Sequence, residues 1–365
     1  MGLTAIVKPT HDCNLRCKYC YLTDEAEKGM MSQETLQNTM AQVAEASGEG
    51  GAHFIWHGGE PLLAGMDFFR EAAQISHALK ADGRNISNAI QSNGTLITEE
   101  LLDFIEQEKD FYLGFSIDGP KEVNDKTRVH ASGKGAFEDI FRGIKMARDR
   151  EAFVGNGAIT VVNKENLPHL DKIYDFFNGE KISLKLNHII DAADPTFGIS
   201  PVEYATAMNK LFDRWIEDYD AIRIDPFSQI IGNFMTSRPS GCNYSGSCQD
   251  NFVSIGPQGD IYPCGRFDGL KDYWMGNVNE PNGLTEALES SVRKRLKERR
   301  LENMAGCKKC DYVPICNGGC PHNALVAGDL MGKDPYCAGY KMMFKHIERK
   351  VHEELAKTEM KGGKQ

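Results

Sequence analysis

Over the first half of the chain, short apolar runs alternate with longer amphipathic stretches. The runs "LTAIVKP" (3–9), "AHFIWH" (52–57), "NISNAIQS" (85–92), "FYLGFSID" (111–118), "FVGNGAITVV" (153–162) and "ISLKLNHI" (182–189) are rich in β-branched and aromatic residues and predict strands. Stretches between them predict helices, among them "SQETLQNTMAQVAEA", opened by Ser32 with Glu34 and Glu45 on its polar side, and "GMDFFREAAQISHALKA". Six strands separated by helices predict a parallel sheet wound by right-handed crossovers, either an open doubly wound sheet or a partial barrel. Ligands in such folds gather at the carboxyl ends of the strands.

The polar oddities of the sequence fall at that one edge. Cys13, Cys17 and Cys20 follow the first strand, "GGEP" (58–61) the second and "SNG" (92–94) the third, and "SIDGP" (116–120) ends the fourth. Gly58, Gly59 and Pro61 read alone as a break between strand and helix. That reading explains the glycines but not an acid and a cysteine cluster on the same rim.

After about residue 195 the alternation stops. Helices are expected near 200–219 ("SPVEYATAMNKLFDRWIEDY") and 226–236, and then residues 242–337 carry eight of the eleven cysteines amid Gly, Pro and Asn. This predicts a second, loop-rich domain pinned by metal, in which "FVSIGPQGDIYPC" forms a hairpin that delivers Cys264. The expected division is 1–235, 236–348, and 349–365 as a helix end with a disordered tail, "KTEMKGGKQ".

With 365 residues, 41% hydrophobic and 26% charged, the chain can bury a large core. It has no signal-peptide pattern and no run near the ~20 apolar residues of a membrane span, so a cytoplasmic location without a membrane partner is expected. "MGLTAI" has Ile6 where myristoylation needs Ser or Thr. A net charge of −10, with no basic stretch interleaved with aromatics, argues against a nucleic-acid partner. "SVRKRLKERR" (291–300) reads as a solvated helix face. Cysteines in a reducing compartment are more plausibly metal ligands than disulfides.

Three thiolates can hold three irons of a cubane cluster and leave the fourth iron without a protein ligand. The amino and carboxylate groups of a methionine derivative could chelate that open iron. The CxxxCxxC spacing with Tyr19 before the last cysteine, followed by "GGEP", resembles the radical S-adenosylmethionine (SAM) enzymes. The resemblance implies a partial (β/α)6 TIM barrel, in which an electron from the cluster cleaves SAM to methionine and a hydrogen-abstracting 5'-deoxyadenosyl radical. It also implies that Gly58, Gly59 and Glu60 hold the methionyl amine, that Tyr19 lies near the adenine, and that Ser116 and Arg128 contact the ribose and carboxylate.

The later cysteines, Cys248, Cys264, Cys307, Cys310, Cys316, Cys320 and Cys337, with Gly259 before Cys264, resemble the SPASM module, which carries auxiliary [4Fe-4S] clusters. Taken alone, "CKKCDYVPIC" also suits a zinc ribbon. Two fully ligated clusters need eight thiolates, and Cys242 can supply the eighth. By resemblance to anaerobic sulfatase-maturating enzymes, Cys242, Cys248, Cys264 and Cys320 would hold auxiliary cluster I, and Cys307, Cys310, Cys316 and Cys337 auxiliary cluster II. The expected cofactors are SAM and three [4Fe-4S] clusters. Their expected role beyond SAM cleavage is electron traffic, served by an external donor such as flavodoxin or ferredoxin.

Similarity to the sulfatase-maturating enzymes, which oxidise Cys or Ser to formylglycine, is carried by "FIWHGGEPLLAGMDFF", "QSNGTLI", "SIDGPKEV" and the cysteine count. In that subfamily an aspartate directly follows the hairpin cysteine and serves as base, whereas this chain has Gly265. Asp268 is the candidate catalytic base, or else a turn residue in "RFDGL". The expected activity is therefore oxidative modification of a ribosomally made peptide, such as a carbon-carbon or thioether cross-link, with formylglycine formation in a protein substrate as the alternative. The short stretch before Cys13 leaves a leader peptide to be bound by the barrel surface or by a separate protein. An electron carrier would need the clusters but not "GGEP" or Arg128, and a radical SAM enzyme acting on RNA or a metabolite would share the SAM site. His53, His57 and His188, near strand ends, read as packed histidines.

Overall fold

The computed structural model describes residues 2–22, 28–150, 152, 157–190 and 194–362, with side chains described up to residue 356. Ten strands form among them: β1 (Leu3–Thr10), β2 (Ala52–Gly58), β3 (Ile86–Ser92), β4 (Phe111–Ser116), β5 (Gly157–Val162), β6 (Ser183–His188), β7 (Ile224–Asp225), β8 (Phe252–Ile255), β9 (Asp260–Tyr262) and β10 (Gly276–Asn277). The six expected strands are β1 to β6. Positions 153–156 of the fifth lie outside the described residues. The fold is mixed α/β on a core of parallel strands, and the chain divides into two compact units, each drawing on both sides of residue 235.

The first unit comprises residues 1–117, 124–158 and 247–298. Its strands β1 to β4 pair in parallel in chain order, with Ala52 opposite both Leu3 and Ile86. Side chains along β2 and β3 alternate between buried and half-buried. The fully buried Trp56 donates its indole N–H to Asn88 Oδ1 at 3.1 Å, and Asn88 Nδ2 donates to Ser76 Oγ and Asp110 Oδ2, both at 3.1 Å. This buried polar chain is satisfied from end to end.

Helices of this unit begin where the sequence marks them. Ser32 caps Gln33–Ser47 by accepting from Thr35 N–H at 3.1 Å, and Thr98 caps Glu99–Gln107 through Leu101 N–H at 3.2 Å. Each cap contributes about 1 kcal/mol.

The expected hairpin is β8 and β9, which pair antiparallel. It joins the sheet of the amino-terminal strands, because β8 lies parallel beside β1 with Thr4 opposite Phe252. The turn needs glycine at 259, where φ is +89° and a Cβ would sit 2.7 Å from Asn277 Oδ1. Helix Ser291–Lys297 departs from the expected solvated face at one position, since Arg293 is fully buried.

The second unit comprises residues 118–123, 159–246 and 299–365. Its strands run in the order β5, β6, β7, with Leu184 opposite Ile224. The expected helices are Pro201–Trp215, opened by a reciprocal capping box between Ser200 and Glu203, and Phe227–Thr236. The last helix runs from Cys337 to Gly362, so residues 357–362 of the expected disordered tail are helical. Ala356, Lys357, Glu359 and Met360 are good helix formers, and neither Gly nor Pro lies between Gly339 and Gly362. Positions 363–365 lie outside the described residues.

Candidate active site and iron-sulfur centres

The loop after β1 carries Cys13, Cys17 and Cys20, all part-buried and none in a disulfide. It is fastened by backbone bonds from Arg16 N to Val129 O at 2.7 Å and from Lys18 N to Thr127 O at 2.9 Å. The turn after β2 docks on the same loop, with Gly59 N donating to Thr10 O at 3.0 Å and Glu60 N to Asp12 O at 2.8 Å. This docking requires both glycines. A Cβ at 59 would lie 2.0 Å from Asp12 O, and one at 58, where φ is +115°, would lie 2.4 Å from Thr10 O.

Glu60 is fully buried, and its carboxylate is occupied within the protein. It accepts from Ser92 Oγ at 2.9 Å, Leu62 N at 3.1 Å and Asn93 N at 2.7 Å. Burial pushes its pKa up to about 7, against the lowering effect of the bonds from Asn93, Leu62 and Ser92. The side chain therefore fixes the shape of the turn that the resemblance assigns to the methionyl amine.

Asn93, which sequence reasoning missed, ties the rim together. Its Nδ2 donates to Asn14 Oδ1 at 2.9 Å and lies 3.8 Å from Cys13 Sγ, while its Oδ1 accepts from Thr95 N at 3.0 Å. The signal was the "SNG" triplet at a strand end. Tyr19 and Arg128 are both buried and face one another, with the guanidinium carbon 5.6 Å from the ring centroid and Nη1 4.0 Å from Cys17 Sγ. At the end of β4, Ser116 Oγ accepts from Gln91 Nε2 at 3.0 Å. The structure thus gathers the cysteine loop, the Gly58–Glu60 turn, Tyr19 and Arg128, while Ser116 is placed through its neighbour Gln91.

Asp268 is no simple turn residue. Its Oδ2 lies 2.6 Å from Lys8 Nζ and 3.0 Å from His11 Nε2, and Lys8, fully buried, also donates to Gly265 O at 3.1 Å. Burial alone would raise the Asp268 carboxyl, but the bond from His11 and the charge of Lys8 outweigh it and hold the pKa at about 2. Lys8 is a further residue that sequence reasoning missed. Its signal was a lone cation in an otherwise apolar strand.

The expected packing role of the histidines is visible at His188, which is buried against Tyr204 and Tyr336 and lies 3.0 Å from Tyr340 Oη. His57 is held neutral, with burial and then Lys8 pushing its pKa down to about 4.

In the second unit, Cys307, Cys310, Cys316 and Cys337 line a single cavity with Asp334 and Tyr340. Asp334 organises its wall, accepting from Cys320 N at 3.0 Å, Asn323 Nδ2 at 2.9 Å and Tyr336 N at 2.8 Å. A Cβ at Gly319 would meet the Asp334 side chain at 2.5 Å. Burial pushes the Cys316 thiol up to about 12, so ligation there must displace a proton.

A tetrahedral zinc centre with Zn–S bonds near 2.3 Å brings its sulfurs to about 3.8 Å of one another. Among the described residues the one group of three or more metal-capable side chains with ligand atoms all within 4.8 Å is His77, Glu108 and Asp110, where Lys80 already lies 2.7 Å from Asp110. No three cysteine sulfurs converge so closely. Four thiols lining one cavity can hold an iron-sulfur cluster, whose ligand sulfurs stand farther apart than those of a single zinc ion. In the first unit Cys248 and Cys264 flank the hairpin, and in the second Cys242 is exposed and Cys320 buried.

The parallel α/β sheet with a three-cysteine loop and a glycine-glycine-acid turn on one rim is the arrangement that the resemblance to radical SAM enzymes implies. The chain belongs to the radical SAM superfamily and carries a SPASM domain: the superfamily model matches residues 7–177, and the SPASM iron-sulfur cluster-binding domain matches residues 242–311. It is 34% identical over 377 residues to the cysteine-type anaerobic sulfatase-maturating enzyme of Clostridium novyi, covering 98% of each chain. It is 30% identical over 376 residues to the serine-type enzyme of Bacteroides thetaiotaomicron, covering 94% of this chain and 89% of that one. A solved structure of anSMEcpe with bound AdoMet, which is SAM, superposes with a TM-score of 0.87 at 25% identity, covering 97% of this chain and 95% of that one. Streptococcus suis SuiB bound to S-adenosylmethionine shares the fold, with a TM-score of 0.69 at 17% identity over 92% of this chain and 77% of that one. Among the described residues no helix is long and apolar enough to cross a membrane.

Proposed function

We propose that this enzyme oxidatively modifies a side chain of a peptide or protein, forming a carbon-carbon or thioether cross-link in preference to formylglycine. The observation that carries this choice is the ion pair of Asp268 with Lys8 at 2.6 Å, beside a hydrogen bond between Asp268 and His11 Nε2 at 3.0 Å. Both outcomes release a proton as the substrate radical is oxidised, but oxidising a Cβ radical toward an aldehyde takes it from the heteroatom on that same carbon and so requires a base beside the reacting carbon, whereas a cross-link releases it from the partner group elsewhere in the peptide. A carboxylate held near pKa 2 by a buried lysine is a poor proton acceptor, and Gly265 offers none. A peptide or protein substrate is supported by the structure of anSMEcpe with bound AdoMet and Cp18Cys peptide, 25% identical and with a TM-score of 0.85.

In this reading a cluster at Cys13, Cys17 and Cys20 supplies, when bound, the electron that cleaves SAM to the hydrogen-abstracting radical. Arg128 offers a guanidinium to the methionyl carboxylate, and the turn held by Glu60 shapes the seat of the amine. Tyr19, packed on Arg128, lies toward the adenine, and Ser116 toward the ribose. Auxiliary clusters at Cys242, Cys248, Cys264 and Cys320 and at Cys307, Cys310, Cys316 and Cys337 complete a set of three. A substrate gives up two hydrogens overall: one as an atom, to the 5'-deoxyadenosyl radical, and the other as a proton, to water, and an electron, which an auxiliary cluster would accept when bound.

Formylglycine formation is the second reading, favoured by the full-length identity to cysteine- and serine-type maturases. Anaerobic incubation with SAM, a reductant and cysteine-containing peptides separates the two. Loss of two hydrogens without reactivity toward hydrazine supports the cross-link, and a hydrazine-trapped aldehyde supports formylglycine.

A further inference from the structure

Arg293 lies on a helix whose other basic residues face solvent, yet its side chain is fully buried. Its Nη1 donates to Gln249 Oε1 at 3.0 Å and its Nη2 to Phe252 O at 2.7 Å. Its Nε is buried without a hydrogen-bond partner, and among the described residues no carboxylate pairs with it. A guanidinium taken out of water at this depth needs a compensating anion. The acidic groups around it are Cys248, Asp250 and Cys264, and Asp250 is exposed and already 3.0 Å from Lys297. The two cysteine sulfurs remain.

Gln249 connects the cation to one of them. It is buried, and its Nε2 donates to Cys248 Sγ at 3.5 Å while its Oε1 accepts from Arg293. Here Cys248 Sγ stands in for a cluster-bound thiolate. All four residues belong to the first unit. An N–H aimed at a ligand sulfur and a buried positive charge behind it both stabilise the more negative, reduced state of a cluster.

We infer that Gln249 and Arg293 set the reduction potential of the iron-sulfur cluster held at Cys248 and Cys264, making it more easily reduced. They are positioning residues, acting through the ligand sulfurs. The inference rests on the assignment of a cluster to these cysteines and adds the residues that tune it. It makes this cluster an acceptor for the electron left when a substrate radical becomes a closed-shell product.

The test is an anaerobic redox titration of the reconstituted full chain, followed by electron paramagnetic resonance with iron counted per chain. Cys248→Ala identifies the signal; if all signals and the iron count survive it, the cluster assignment itself is wrong. With that signal identified, Arg293→Met is expected to lower its reduction equilibrium constant at least tenfold, about 59 mV for one electron. Arg293→Lys should restore most of the shift, and Gln249→Leu should lower the potential by less, each with unchanged iron. An unchanged potential in Arg293→Met and Gln249→Leu overturns the inference. If Arg293→Met loses iron, Gln249→Leu decides: a lowered potential supports the inference, and an unchanged one overturns it.

Discussion

Lys8 Nζ and Asp268 Oδ2, from distant parts of the sequence, meet at 2.6 Å where the lysine is fully buried. The contact binds β1, which leads into the SAM-cluster loop, to the segment that follows the hairpin cysteine. Removing one partner of a buried pair strands the other charge and costs about 3–5 kcal/mol. Asp268→Asn is therefore expected to lower unfolding stability by that order, and Lys8→Met to do the same. If Asp268 served instead as an unpaired base, Asp268→Asn would abolish product while leaving the urea midpoint unchanged.

Gly265 has room for a side chain. A Cβ there would lie 3.4 Å from Ile6 Cγ2 and 3.9 Å from Lys8 Cε, both ordinary contacts. Gly265→Asp is thus expected to fold with a melting temperature within a few degrees of the parent and to place a carboxylate directly after Cys264. With a cysteine-containing peptide it should yield more hydrazine-reactive product than the parent does. Equal aldehyde yields from both would count against proton transfer as what separates the two activities.

Glu60 predicts a pH dependence of stability. Its folded pKa is raised to about 7 from 4.5, so between those values the folded state binds the extra proton. Stability should fall as pH rises through this window, by about 3 kcal/mol in all, and flatten above it. Melting temperatures of the SAM-free protein from pH 5 to 8 should show that fall, and Glu60→Gln should remove most of it. A parent profile as flat as the variant's would contradict the burial argument.

Cys13, Cys17 and Cys20 replaced together by alanine should leave about eight irons per chain, since two fully ligated clusters use eight thiolates. Twelve irons in that variant would overturn the ligand assignment.

The strands were legible because they are short, largely apolar runs separated by longer amphipathic stretches. The cysteine loop and "GGEP" were legible because their spacing is local. Lys8, Asn93, Gln249 and Arg293 were not, because their meaning depends on partners distant in sequence or on which face of an element is covered. Arg293 looks the same in sequence as Lys294 and Arg295, and only its packing against Gln249 and Phe252 distinguishes it. The chain's last turns were misjudged because a polar composition does not by itself prevent a helix that extends from a packed one.

The most direct test of the central claim is anaerobic: the fully reconstituted protein with dithionite and SAM, followed by mass spectrometry for 5'-deoxyadenosine with and without candidate peptides. 5'-Deoxyadenosine is expected from the parent and none from the Cys13, Cys17 and Cys20 variant, with release coupled to a two-hydrogen loss in a modified peptide. No 5'-deoxyadenosine under any condition, with a full iron complement, would contradict that claim and leave an electron carrier in its place.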